Sequence, residues 1–202
     1  MYIYFKRFFD ILVGLTGVII LVPVIIILRG IFLAFDDMGR LLYYQERVGK
    51  DGKLFKMYKF RTMVENADEE LDKLLKDEHY RKEWEDNQKL EDDPRITKIG
   101  HWLRKTSLDE LPQMYNVLKG DMSIVGPRPL VEGELEAHGG AILYWAVRPG
   151  LTGWWASHGR SDIDYKERLE MEYYYIKNQS LKLDVICFIK TIKVVLTHEG
   201  AR

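Results

Sequence analysis

The sequence predicts a mostly helical α+β protein that begins with a proline-kinked membrane helix. The first observation is the uncharged run Ile11–Leu28, which contains Pro23. The second is a pair of strand-like segments joined by a glycine-containing turn, which predicts a short β-hairpin. The third is helical periodicity over most of the remaining chain. The 202 residues, 47% of them hydrophobic, suffice for one core and exclude collagen-like, disulfide-scaffold and disordered classes.

The charges balance over the whole chain but not along it. There are 30 Lys and Arg against 31 Asp and Glu. The resulting net charge of -1 gives no general attraction to nucleic acid, so no nucleic acid partner is predicted. Residues 65–93 nevertheless contain 13 Asp and Glu against five Lys and Arg. The simplest interpretation of this acidic stretch is the solvated face of a helix.

The apolar run has three interpretations. As a helix, its 18 residues rise about 27 Å, barely the roughly 30 Å of a hydrocarbon core. A cleavable signal peptide is disfavoured because no A-x-A-like site ends the run, whereas a straight spanning helix fits the length. A helix that enters and returns on one side is favoured, because Pro23 deletes a backbone hydrogen bond and cations flank both ends. The flanking cations are Lys6, Arg7, Arg29 and Arg40.

Residues 1–35 are therefore assigned to a re-entrant helix, and residues 36–202 to a domain that forms one integrated fold with it. Strands are expected at 43–46, 54–60 and 122–125, and helices at 66–82, 96–105, 107–118, 131–145, 164–178 and 181–197. Several of these helices are amphipathic, and the last is expected either in the core or on the membrane surface. Cys187 is the one cysteine of the sequence, which excludes an intrachain disulfide, and its side chain is expected to be buried.

The best candidates for chemistry are the adjacent carboxylates Asp109 and Glu110. A structural interpretation is available, because Ser107 and Glu110 fit a helix capping box. The surrounding cations Lys59, Arg61, Arg104 and Arg128 favour a second interpretation, in which the carboxylates and a divalent cation act on a phosphorylated ligand. The sequence contains no Walker loop, zinc-ligand spacing or G-x-S-x-G elbow. The residues thus predict a membrane-seated phosphate-handling enzyme.

At these residues the chain resembles the bacterial sugar transferases, the monotopic phosphoglycosyl transferases. The segments that carry the resemblance are Lys6-Arg7 with Asp10, YKFRTM at 58–63, RKTSLDELPQ at 104–113, NVLKGDMSIVGPRP at 116–129, RPGLTG at 148–153 and Gly159-Arg160. They occur in order over nearly the whole chain. The acidic stretch and the segment around Trp154-Trp155 look most like the undecaprenyl-phosphate galactose phosphotransferase branch. The length resembles that of a minimal catalytic form.

The resemblance implies a chemistry for the site. Asp109 would attack the β-phosphate of a UDP-sugar and release UMP, and undecaprenyl phosphate would then take the phosphosugar from Asp109. Glu110, with Asp109, would hold Mg²⁺. Arg128 would bind phosphate. Lys59, Arg61, Arg104 and Arg148 would be further substrate-binding cations.

The resemblance also implies a location in the bacterial inner membrane, in contact with its lipid. The protein would be monotopic, with its catalytic domain facing the cytoplasm, and would start a glycoconjugate such as O-antigen, capsule or exopolysaccharide. One departure concerns the kink, where many members have Ser-Pro and this chain has Val22-Pro23. Because valine cannot hydrogen-bond a carbonyl freed by the proline, the depth and angle of the kink stay open.

Several alternatives stay open at this stage. The sugar is expected to be galactose, with glucose or an N-acetylated sugar as alternatives, and a homodimer is one option for the oligomeric state. A non-catalytic membrane-anchored scaffold and a metal-dependent phosphohydrolase are the competing functions. Trp154, Trp155 and Tyr173–Tyr175 are interpreted as core or interfacial residues, with stacking on uracil as the alternative.

Overall fold

A computed structural model describes residues 1–35, 39–87, 90–158 and 164–197. It confirms a mostly helical α+β protein with a long apolar N-terminal helix. The helices are α1 (Tyr2–Ala34), α2 (Ala67–Leu74), α3 (Glu78–Asn87), α4 (Lys98–Lys105), α5 (Gln113–Lys119), α6 (Glu134–Ala137), α7 (Tyr165–Lys177) and α8 (Leu181–Thr197). The strands are β1 (Leu42–Val48), β2 (Leu54–Phe60), β3 (Ser123–Val125) and β4 (Gly150–Thr152). The Gly159-Arg160 motif lies outside the described residues.

Helix α1 continues without interruption through Pro23. Its 33 residues correspond to about 50 Å of helix. Within the described ranges it is the one helix long and apolar enough to cross a membrane, judged by length and composition. Large apolar side chains such as Ile19 and Ile26 are exposed on it. The kink and the re-entrant path stay predictions.

Two glycines let α5 lie directly against α1. A Cβ atom at Gly17 would overlap the side chain of Met114, and one at Gly14 would press on the backbone of Leu118. These glycines are three residues apart and therefore share one face of the helix. The close approach places the segment that precedes α5 beside the apolar helix.

Polar contacts also join α1 to the rest of the domain. The Asp10 carboxylate is buried and accepts hydrogen bonds from Ser123 Oγ (3.0 Å) and Ile124 N (2.9 Å). Arg7 donates to the carbonyl oxygens of Val117 and Leu118, both at 2.8 Å. Arg7 thus satisfies the carbonyl of Leu118 near the end of α5 and adds a second donor to the carbonyl of Val117, which also accepts from Gly120 N. The start of α1 is therefore an integral part of the folded domain.

The predicted hairpin is confirmed, with β1 and β2 antiparallel and Tyr43 opposite Lys59. The predicted strand at 122–125 is confirmed as β3. It pairs in parallel with β4, a strand that had not been predicted. The loop that follows β3 contacts the hairpin next to its turn, through a bridge between Val48 and Leu130.

Three local predictions are wrong. The expected helix at 66–82 is divided into α2 and α3, because Asp77 Oδ1 accepts from the backbone N–H of His79 and starts a new helix. The expected helix at 131–145 is reduced to the four residues of α6 and a 3₁₀ segment, Ile142–Ala146. The third error, the capping box, concerns the site itself.

Apolar side chains form two cores. The larger core lies under the hairpin, β3, α7 and α8 and includes the fully buried Cys187, as predicted. The smaller core joins the second half of α1 to β2 and α4 through Leu28, Phe60 and Leu103. Leu108 and Leu111 pack against this smaller core. Asp109 and Glu110 lie between these two leucines, so the smaller core supports them.

Candidate active site

Asp109 and Glu110 lie in a 3₁₀ turn, Leu108–Glu110, between α4 and α5. In a 3₁₀ turn, residues three apart share a face, so Leu108 and Leu111 both point to the smaller core. Asp109 is 9% exposed, whereas the side chain of Glu110 is 42% exposed. The two carboxylates therefore occupy different environments and can perform different tasks.

The predicted capping box is wrong. Ser107 has a left-handed backbone conformation, with φ of 55°, and its side chain caps no N–H group. Glu110 reaches Lys59 instead, and α5 begins only at Gln113, after Pro112. A left-handed conformation is costly for serine, and such strain is concentrated at functional sites. Here it lies between α4 and the 3₁₀ turn, two residues before Asp109.

Lys59 and Glu110 form an ion pair, with 2.9 Å between Lys59 Nζ and Glu110 Oε1. Burial is the main reason why the pKa of Asp109 is raised, and the charge of Glu110 raises it further. Lys59 and Arg104 oppose this rise. Asp109 is thus a buried carboxylate whose basicity is increased by its surroundings, with two cations that favour its ionised form.

Arg104 is positioned by the segment that follows β2. Its Nε donates to Thr62 Oγ1 at 3.0 Å. The carbonyl of Thr62 lies so close to α4 that a Cβ atom at Gly100 would overlap it. Burial lowers the pKa of Arg104, and the negative charge of Asp109 opposes that effect. Thr62 and Gly100 had not been predicted as site residues, although both help to place Arg104.

The other predicted cations lie in different surroundings. Arg61 is buried, donates to the carbonyls of Arg40 (2.6 Å) and Met63 (3.0 Å), and lies over the Phe32 ring. Arg148 donates from Nε to the carbonyl of Gly120 at 2.7 Å, at the end of α5. Both side chains thus hold backbone segments together. The structure brings Lys59 and Arg104 to the carboxylates, and it gives Arg61 and Arg148 structural contacts.

Arg128 belongs to a second polar region, in the loop after β3, where its own side chain is exposed. Its backbone N–H donates to Glu172 Oε1 (3.0 Å), and its carbonyl accepts from the Tyr144 hydroxyl (2.9 Å). The prolines on both sides further restrict this backbone. Arg168 and Glu172, one turn apart on α7, were missed by the sequence analysis because that spacing is common on solvated helix faces.

The donor set at the carboxylates fits a Mg²⁺ ion. Within the described ranges, no group of three or more His, Cys, Asp or Glu is arranged to hold a metal ion. Mg²⁺, however, is commonly held by one or two carboxylates together with substrate phosphates. Asp109 and Glu110 are close enough for the charge of one to raise the pKa of the other, a repulsion that a cation would relieve.

The sequence as a whole is that of a bacterial sugar transferase. The model of that family matches residues 1–198, so the chain belongs to it and the predicted family is confirmed. The chain is 48% identical over 200 residues to a UDP-galactose-lipid carrier transferase from Erwinia amylovora. It has the same identity over the same length to an undecaprenyl-phosphate galactose phosphotransferase from Salmonella typhimurium. Each alignment covers 98% of this chain and 42% of the relative.

A shorter relative matches over most of its own length. The exopolysaccharide production protein ExoY from Sinorhizobium fredii is 44% identical over 198 residues, which are 97% of this chain and 87% of that protein. The chain therefore spans about two fifths of the two galactose-named relatives and nearly all of this one.

Proposed function

We propose that the protein transfers a sugar 1-phosphate from a UDP-sugar to undecaprenyl phosphate and releases UMP. The observation that carries the proposal is the buried Asp109 carboxylate, which has Lys59 and Arg104 as its neighbouring cations. Family membership and the names of the relatives support the same reaction class and acceptor. The proposal extends to a first membrane step in the synthesis of a bacterial polysaccharide.

The proposed reaction has two displacements at one phosphorus atom. An oxygen of Asp109 attacks the β-phosphorus, the bond to the bridging oxygen breaks, and UMP leaves with that oxygen. A phosphate oxygen of the acceptor then attacks the same phosphorus and releases Asp109. Burial suits this role, because a carboxylate with a raised pKa is a stronger nucleophile once ionised. Lys59 and Arg104 favour the ionised form and attract the incoming phosphates.

Glu110 has a supporting role in this proposal. With Asp109 it would hold Mg²⁺, which offsets the negative charge of the phosphates when bound. Lys59 holds Glu110 by the 2.9 Å ion pair and so orients its carboxylate. The exposure of Glu110 leaves it accessible to a metal ion that arrives with the donor.

The contacts of α1 support a monotopic arrangement at the cytoplasmic face of the inner membrane. Buried positions recur along this helix from Asp10 to Phe32, which corresponds to about 33 Å of helix. The hydrocarbon core that a spanning helix must cross is about 30 Å thick. Because the domain accompanies α1 over that length, we propose that residues 1–35 enter and leave on one side. Cysteine labelling tests this, since periplasmic labelling at residue 1 would indicate a spanning helix.

The central experiment measures UMP release from a panel of UDP-sugars with undecaprenyl phosphate and Mg²⁺. The panel contains UDP-galactose, UDP-glucose and UDP-N-acetylgalactosamine, and we propose galactose as the preferred sugar because two relatives are named for it. Asp109→Asn is expected to abolish release and leave membrane association intact. Asp92→Asn, at an exposed acidic position, is the matched control and is expected to behave as wild type.

Three results would contradict the proposal. Normal turnover of Asp109→Asn would exclude Asp109 as the nucleophile. Absence of UMP release with every UDP-sugar would favour a non-catalytic scaffold. Free sugar phosphate as the main product, with acceptor present, would favour a phosphohydrolase. UMP release before the acceptor is added would support the two-step route.

A further inference from the structure

The buried side-chain amide of Asn116 joins helix α5 to strand β2. Asn116 is 0% exposed. Its Nδ2 donates to the carbonyl of Lys56 at 2.7 Å, and its Oδ1 accepts from the backbone N–H of Tyr58 at 3.1 Å. Nδ2 also donates to Asp121 Oδ2 at 3.3 Å. Each hydrogen-bonding group of this amide therefore has a partner in the interior.

The two bonds to β2 take the place of a neighbouring strand. In the described part of the chain, the sheet of the hairpin consists of β1 and β2, so the outer edge of β2 has no strand beside it. One residue of an adjacent parallel strand would bond the carbonyl of one residue and the N–H of the second residue after it. Asn116 makes the same two bonds from its side chain, while its backbone stays in α5.

The bonded segments are the ones that carry the ion pair of the site. Lys59 directly follows Tyr58 in β2, and the turn that contains Glu110 leads into α5. Apolar contacts also join the two elements, because the rings of Tyr58 and Tyr115 lie 5.8 Å apart. Apolar contacts are non-directional, whereas a hydrogen bond fixes distance and angle. The amide of Asn116 is therefore suited to fix the position of β2 along α5.

The ion pair depends on that position. A shift of β2 by one residue would move its backbone by about 3.3 Å and turn Lys59 to the opposite face of the strand. Lys59 Nζ lies only 2.9 Å from Glu110 Oε1, so a shift of this size would break the contact. Two backbone bonds immediately before Lys59 oppose such a shift.

We propose that Asn116 is a positioning residue of the site, whose amide fixes the register of β2 against α5 and so places Lys59 beside Glu110 and Asp109. The inference rests on the proposed transferase function, in which Lys59 favours the ionised Asp109 and attracts phosphate. Because Asn116 is fully buried, it acts on the substrate through Lys59 rather than by contact.

The first measurement reports the position of Lys59 without turnover. A water-soluble carbodiimide couples an amine to an adjacent carboxylate, and peptide mass spectrometry quantifies the amide formed between Lys59 and Glu110 in the full chain. Asn116→Leu is similar in size but has no hydrogen-bonding side-chain group. It is expected to lower the yield of this cross-link about fivefold, because two hydrogen bonds are lost.

Two controls separate this effect from general loosening of the fold. The exposed pair Lys73 and Glu70 on α2, 2.7 Å apart, is the internal reference, and its cross-link should be unchanged. Asn178→Leu is the matched variant, since Asn178 is exposed and its amide donates to the carbonyl of Tyr174 in the preceding turn of α7. It is expected to leave the yield between Lys59 and Glu110 at the wild-type level.

The second measurement is kcat/KM for UMP release from UDP-galactose with undecaprenyl phosphate and Mg²⁺. Asn116→Leu is expected to lower it about tenfold, because a small displacement of a catalytic group is costly. In the Lys59→Met background the same substitution is expected to have no further effect, since Asn116 acts through Lys59. A residue that only stabilised the fold would lower kcat/KM by the same factor in both backgrounds.

Asn116→Asp provides a second variant if Asn116→Leu fails to fold. It keeps the shape and the acceptor for Tyr58 N but removes the donor to the Lys56 carbonyl, so we expect a smaller loss in both measurements. An unchanged yield between Lys59 and Glu110 in the folded variants would overturn the proposal. Losses of kcat/KM that multiply in the double variant would overturn it as well. If wild type releases no UMP, the transferase is refuted, and a lowered cross-link yield would still support the positioning of Lys59 by Asn116.

Discussion

Lys59 Nζ lies 2.9 Å from Glu110 Oε1, and this ion pair stands beside the buried carboxylate of Asp109. The lysine therefore acts on two acidic groups, because its charge also opposes the rise in the pKa of Asp109. The contact joins β2 to the turn before α5. Their relative position is thus controlled by an electrostatic interaction at the centre of the proposed chemistry.

Replacement of Lys59 tests this arrangement. We expect Lys59→Met to lower kcat/KM for UMP release by about 10²-fold, because it removes a cation that favours the ionised Asp109 and orients Glu110. Lys56→Met is the control, since Lys56 is an exposed lysine on the opposite face of β2, over the Tyr44 ring. Equal losses in the two variants would indicate a general effect of lysine on the hairpin.

Loss of the Asp10 carboxylate is expected to separate α1 from β3. Asp10→Ala would leave the buried N–H of Ile124 without its acceptor and should lower the free energy of unfolding by about 3 kcal/mol. Thermal unfolding in nanodiscs measures the effect. Thr16→Ala is the control, because Thr16 is exposed and its hydroxyl donates to the carbonyl of Leu12 in its own helix. A Tm equal to that of the control would argue against a stabilising contact between Asp10 and β3.

The close contact between α1 and α5 depends on Gly17. Gly17→Ala places a methyl group against Met114 and is expected to destabilise the protein by about 1–3 kcal/mol. Gly30→Ala is the opposite case on the same helix, since a Cβ atom there meets nothing and alanine favours helix. Unfolding temperatures of the two variants should therefore shift in opposite directions. A stabilised Gly17→Ala would show that the helices are farther apart.

Glu172 is expected to make stability depend on pH. Burial raises its pKa to about 7 from an unfolded value of 4.5, so the folded state keeps a proton that the unfolded state loses. Stability should therefore fall as pH rises through this range, by up to about 3 kcal/mol. Glu172→Gln should remove that slope, whereas Glu170→Gln, at an exposed position, should retain it. Chemical unfolding between pH 4.5 and 8 provides the measurement.

Much of the site could be predicted because its residue types carry the chemistry. Asp109, Glu110, Lys59 and Arg104 were predicted together, and they meet in the structure. The backbone conformation around these residues could not be predicted from their types. The S-x-x-E spacing indicates a capping box, but Glu110 pairs with Lys59 of a distant strand, and Ser107 takes a left-handed conformation. A tertiary ion pair thus overrides a local capping preference.

Short strands and buried charged residues could not be predicted from sequence patterns, for physical reasons. Strand β4 has three residues, too few for a period-2 pattern, and it pairs with β3 across a long separation. Arg168 and Glu172 of α7 are buried by tertiary packing, which a sequence pattern does not reveal. The elements with long periodic patterns, α7 and α8, were predicted within one residue at each end.

The anchoring of Asp10 has a practical consequence for handling the protein. Removal of the first 35 residues, to obtain a soluble enzyme, would delete the acceptor of Ile124 N and the donor to two carbonyls of α5. It would also expose the smaller core beneath Leu108 and Leu111. Residues 1–35 thus complete the folded domain, so purification should keep them, together with a bilayer mimic, rather than shorten the chain.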